Sequence, residues 1–250
     1  MASNSTLVVS NAAQLGSART RRDFLRIMGI GGTLVLLPSV LSSCSNNNNG
    51  IVDPGTGAGP GTGSTVTIDF SKGDIAVLQF AYALEQLEAD FYTKVVAASS
   101  NLTAEERLVM ADLKNHEIIH REFLKIALGT NASFSLTPTY PGVDFSNRTS
   151  VLATARTFED LGVSAYNGAA QYLTSTANLL VAGKIVSVEG RHASAIRDLI
   201  NPKSVDFAPS PFDDAFSPAK VAGAAQGFIV DKLAFANAPT AFVQGPNANG

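Results

Sequence analysis

Two Glu-x-x-His pairs, Glu117-Ile-Ile-His120 and Glu189-Gly-Arg-His192, stand 72 residues apart. Each is preceded by a Glu that has a Tyr seven positions later: Glu85 with Tyr92, and Glu159 with Tyr166. Residues three apart on a helix share a face, so each Glu-x-x-His presents its carboxylate and imidazole together. Four carboxylates and two imidazoles in duplicated order are the set that a carboxylate-bridged pair of metal ions needs inside a four-helix bundle. One Glu comes from each of two helices and a Glu-x-x-His from each of the other two. The chain has only three His, and this pattern uses two of them.

The apolar spacing supplies the helices. Leu78, Ala81, Leu84, Glu85, Glu88, Phe91, Tyr92 and Val95 recur at three- and four-residue intervals, which predicts a first helix over about 71–99 with these residues on one face. Thr103-Ala-Glu-Glu106 is a capping box that opens a second helix, closed near Leu128 by Gly129. A third helix is expected over about 149–173, and a fourth from Ser175 to Asn201-Pro202. Short links make consecutive helices antiparallel neighbours, while Thr137-Pro-Thr-Tyr-Pro-Gly142 is a helix-free stretch long enough for a crossover. Leu84 to Tyr92 aligns with Phe158 to Tyr166, and Thr103 and Ser175 each precede their Glu-x-x-His by 14 residues. The expected fold is all-α: a four-helix bundle of two pseudo-symmetric hairpins, plus a short fifth helix within 220–235.

The bundle surroundings sharpen the metal reading. Leu113, Phe123, Leu124 and Ala127 are expected on the inner face of the second helix, and Ile185, Val188, Ile196 and Leu199 on that of the fourth. A carboxylate on an apolar stripe costs free energy unless it is paired or metal-bound. Four ionised Glu would repel one another, whereas two divalent cations balance them with the His neutral. Glu88 aligns with Gly162 in the repeat and so has no symmetric counterpart; it reads as a supporting or solvated carboxylate rather than a ligand. Tyr92 and Tyr166 read as carboxylate partners or as packing aromatics with a polar tip. His116 completes a His-Glu-x-x-His of the kind found in zinc peptidases. That reading leaves Glu189 and His192 unexplained and lacks a third ligand; otherwise His116 is a hydrogen-bond partner or a plain interhelical side chain.

With these motifs in place, residues 70–200 resemble the ferritin-like superfamily, and within it the exported ferritin-like domain proteins that include desiccation-related proteins. The resemblance implies Glu117 and Glu189 as bridging ligands, Glu85 and Glu159 as terminal carboxylates, and His120 and His192 as terminal imidazoles. Tyr92 and Tyr166 would orient carboxylates from two turns away. It implies two iron ions, with manganese as the alternative, and a ferroxidase-like or peroxide-consuming oxidoreductase acting on oxygen, peroxide or ferrous iron. Two rivals stay open: a dimanganese catalase-like enzyme, and a non-enzymatic envelope protein of stress or desiccation with a vestigial site. Iron storage in a closed cage fits poorly with a tethered N-terminus. Dimerisation stays open.

The N-terminus reads as an address. Thr20-Arg21-Arg22-Asp23-Phe24-Leu25-Arg26 resembles a twin-arginine export motif, an apolar stretch follows, and Leu41-Ser42-Ser43-Cys44 resembles a lipoprotein processing box. The resemblance implies cleavage before Cys44, a lipid on its sulfur, membrane attachment, and residence in the cell envelope, in the periplasm or on the outer surface. The resulting organisation is a signal over 1–43, an Asn- and Gly-rich linker over 44–68, the bundle over 69–201 and an extension over 202–250. A single Cys excludes an intrachain disulfide. A net charge of −3 gives no basic face for nucleic acid. Residues 27–40 are too short and Gly-interrupted for a membrane span.

Overall fold

The computed structural model describes residues 63–98 and 101–246. The export motif, Cys44 and nearly all of the linker lie outside the described residues. The elements in chain order are β1 (Thr65–Asp69), α1 (Asp74–Ala97), α2 (Ala104–Leu128), α3 (Arg148–Ala169), α4 (Thr176–Ile200), α5 (Pro218–Ala225) and β2 (Lys232–Ala236). Helices α1 and α2 form one hairpin, α3 and α4 the other. The bundle is all-α, with one small two-stranded parallel sheet beside it.

Helix starts and stops follow local chemistry. Thr103 and Glu106 cap each other's backbone N–H groups at the start of α2 in a full capping box. Ser175 caps α4 and Asn147 caps α3 by accepting from the third residue on. Gly73 and Gly129 sit at φ 58° and 54°, the left-handed region where a side chain would strain the backbone. Gly73 therefore separates a single turn over Phe70–Lys72 from α1, so the helix begins three residues later than the expected Ser71. α3 likewise tightens into a 3-10 turn over Ala170–Tyr172 instead of reaching Leu173 as an α-helix.

Burial departs from the expected single apolar face. α2 and α4 are buried on one side only, but α1 is buried almost all round from Ala76 to Phe91. The crossover covers the outer face of α1: Leu136 N–H donates to Gln86 Oε1 at 3.0 Å, and the Tyr140 hydroxyl donates to the Leu87 carbonyl at 3.0 Å. Ala127, expected inside, is exposed, because only Leu124 and Leu128 of that turn face the core.

The expected fifth helix is shorter than the 220–235 reading. It stops at Ala225, a 3-10 turn follows, and Lys232–Ala236 is a strand. That strand pairs with Thr65–Asp69, which places residues read as linker in the packed domain. Asp231 fastens the junction by accepting from Ser64 N–H and Oγ and from Thr137 N–H, joining three distant segments. Nor are the last residues loose: Ala241 and Val243 carbonyls accept from Tyr172 and Gln171. The extension packs on α3 through Gly168, where a Cβ would lie 1.9 Å from the Phe216 carbonyl oxygen. Among the described residues no helix is long and apolar enough to cross a membrane.

Candidate metal centre

Each of the four bundle helices delivers one Glu to the same interior point. Glu85 of α1, Glu117 of α2, Glu159 of α3 and Glu189 of α4 are all 0 % exposed. His120 and His192 lie one turn past Glu117 and Glu189, and both aim Nδ1 inward. His120 Nδ1 is 3.0 Å from Glu189, 3.5 Å from Glu117 and 3.6 Å from Glu85. His192 Nδ1 is 2.9 Å from Glu117, 3.4 Å from Glu159 and 3.6 Å from Glu189.

The donors separate into two quartets. Glu85, Glu117, His120 and Glu189 offer one group of atoms within 4.8 Å of one another, and Glu117, Glu159, Glu189 and His192 offer a second. Glu117 and Glu189 belong to both.

Hydrogen bonding divides the carboxylates in the same way. Tyr166 donates to Glu85 Oε1 at 2.5 Å, and Tyr92 donates to Glu159 Oε1. The tyrosines thus reach across the bundle: each holds the Glu of the other hairpin. Each fixes one carboxylate oxygen and leaves the other free. Glu117 and Glu189 have no such partner on either oxygen. Among the described residues, the buried side-chain atoms with no aligned hydrogen bond are Oε2 of Glu85 and Glu159, both oxygens of Glu117 and Glu189, and Nδ1 of His120 and His192. All belong to the six converging residues. A buried polar atom without a partner costs about 1–3 kcal/mol, more if charged. Such atoms crowded around one point are the arrangement that cations would satisfy, and all-oxygen carboxylate with imidazole nitrogen is a donor set suited to iron, manganese or zinc.

Protonation tells the same story. Burial pushes Glu85 up, and Glu159 to about 8. Burial also opposes charge on His120 and His192, but the surrounding carboxylates outweigh it and push both imidazoles to about 12. Without cations, therefore, protons neutralise the cluster; metal binding must displace them and so strengthens as pH rises. Burial keeps the Tyr92 and Tyr166 hydroxyls well above their usual range, so both remain donors.

Three further residues gain definite places. His116 Nδ1 lies 2.9 Å from His192 Nε2, with the rings parallel to within 9°. It positions His192 from the neighbouring hairpin and joins neither quartet, which removes the zinc-peptidase reading. Glu88 is not solvated: it is 4 % exposed, and burial followed by the neighbouring carboxylates holds it well above the usual range. It joins neither quartet, but a Cβ on Gly162 would lie 3.2 Å from Glu88 Oε1 and 3.6 Å from Glu189 Oε2. Gly162 therefore makes the space that Glu88 fills. The sequence pairs these two positions, but only the packing reveals that one accommodates the other.

Helices that each send a Glu to a shared interior point, with two imidazoles, define a metal-binding carboxylate bundle. The model of the ferritin-like domain family matches residues 73–202, over half of the chain, and the chain belongs to that family. No curated protein matches it.

Proposed function

We propose that the protein is an exported, lipid-anchored oxidoreductase with a carboxylate-bridged di-iron centre that reacts with dioxygen or peroxide. The observation that carries this reading is the set of unpartnered buried atoms confined to Glu85, Glu117, His120, Glu159, Glu189 and His192. Glu117 and Glu189, which belong to both quartets, would be shared by the two ions. Glu85 and Glu159 would each bind through the oxygen their tyrosine leaves free, beside His120 and His192 respectively.

Iron held by these six residues would supply two electrons, enough with two protons to take dioxygen to peroxide or peroxide to two waters. The chain's own part is to hold these donors and exclude water. Tyr92 and Tyr166 prevent Glu159 and Glu85 from turning away. Because no tyrosine holds Glu117 or Glu189, these two can change binding mode without breaking a tyrosine hydrogen bond. Burial and the neighbouring carboxylates disfavour a negative charge on Glu88. The twin-arginine motif supports loading before export, since that route carries folded proteins, and Cys44 supports anchoring in the envelope.

Reduced, iron-loaded full chain should consume dioxygen or peroxide faster than the Glu117→Ala variant. Equal consumption by the two proteins would remove the redox reading.

A further inference from the structure

The pseudo-twofold relates the two ends of the bundle, and their packing differs. At one end stand Ala165 and Ala169; their repeat counterparts at the other are Phe91 and Val95. Phe91 and Phe158 are fully buried and meet edge to face with centroids 5.0 Å apart. The smaller residues of the first end leave a cavity of about 20 Å³, room for about one small molecule.

The cavity lies one helical turn from the Glu85–His120–Glu189 side of the centre. Ala81 and Ile185 stand four residues before Glu85 and Glu189, Leu124 stands four after His120, and all three line it. Tyr166 is the one lining residue with a polar side-chain atom, and its hydroxyl is committed to Glu85. Partly exposed Leu78, Val181 and Ala182 complete the outer wall.

We propose that this cavity is a dioxygen-binding chamber serving the metal centre, an inference that rests on the di-iron reading above. An apolar cavity accepts apolar guests such as xenon, and dioxygen is an apolar diatomic that needs no hydrogen bond. Peroxide carries two O–H donors, and these walls offer them no free partner except the Tyr166 oxygen; burying unmet donors is unfavourable. The chamber thus favours dioxygen over peroxide, and it lies beside the Glu85 half of the centre, to which Tyr166 links it.

The test uses the full chain, its Ala165→Phe variant, which copies Phe91, and the milder Ala169→Val, which copies Val95. Xenon is the probe for occupancy, followed by xenon-129 NMR and by crystals under xenon pressure. Wild type should bind xenon at this cavity, and the filled variants should not. With iron content matched, filling should slow oxidation by dioxygen about tenfold or more and leave oxidation by peroxide unchanged. A wild-type cavity that refuses xenon overturns the proposal. So does a filled, folded variant whose dioxygen rate is unchanged, or whose peroxide rate falls equally. If Ala165→Phe does not fold, Ala169→Val decides. Iron missing from wild type overturns the di-iron reading and the delivery role together, and xenon occupancy distinguishes that failure from failure of the cavity itself.

Discussion

The end of the bundle around Tyr166 and the end around Tyr92 carry the same chemistry in different packing. Each has a Tyr that crosses to a Glu of the other hairpin, and each faces one quartet of donors. Around Tyr92, however, Phe91, Phe158, Tyr140 and Phe228 form a filled aromatic cluster, whereas around Tyr166 alanines leave a cavity. The metal donors are duplicated, and their surroundings are not. A symmetric set of ligands suffices to place two cations. Asymmetric surroundings are needed if small molecules are to reach the centre from one side and a water-free wall is to close the other.

Opening the closed end should have the largest effect. Phe91→Ala gives that end the residue of the open one and removes a fully buried ring packed on Tyr92, Tyr140, Phe145 and Phe158. Its cost should be about 3–5 kcal/mol in urea unfolding, and xenon should find a second site. A cost below about 1 kcal/mol with no second site would mean that the cluster is not the plug described.

Removing the crossed hydroxyls comes next. Tyr92→Phe frees Glu159, and Tyr166→Phe frees Glu85. Loss of such an orienting bond lowers metal affinity about 10–100-fold, so each variant should weaken one of two binding steps in a cobalt titration followed by optical absorption. If both steps survive in both variants, the tyrosines are packing residues only.

His116 gives the smallest contrast, because its repeat counterpart is Val188 and, among the described residues, only His192 has such a partner. His116→Ala should weaken the His192 half about tenfold and spare the His120 half, with His116→Gln recovering part of the loss. Equal weakening of both halves would argue against a positioning role.

Much of the bundle was legible in the sequence because its determinants are local. A spacing of three puts Glu and His on one face, and the Thr103–Glu106 box and the Ser175 cap announce helix starts within one turn. The convergence of the six Glu and His residues follows from duplicated order alone. What escaped depends on distant segments. The pairing of β1 with β2 joins residues far apart in the chain, and no period within Lys232–Ala236 distinguishes a short strand from the end of a helix. The full burial of α1 depends on Leu136 and Tyr140 in the crossover, so an amphipathic reading of α1 assigned it one face too few. Neither the crossing of the tyrosines nor the contact of His116 with His192 could be read from spacing, because both are contacts between hairpins. The signal for the cavity was present in the alignment of Ala165 with Phe91, but only packing gives that difference a volume.

The most direct test of the central claim is the metal content of the full chain, purified without chelator, beside a Glu117→Ala/Glu189→Ala variant, by elemental mass spectrometry. The account predicts about two iron ions per chain in wild type and none in the variant. Manganese in the same amount would keep the site and change the chemistry. A wild-type protein that is empty and also refuses added ferrous and manganous ions would contradict it.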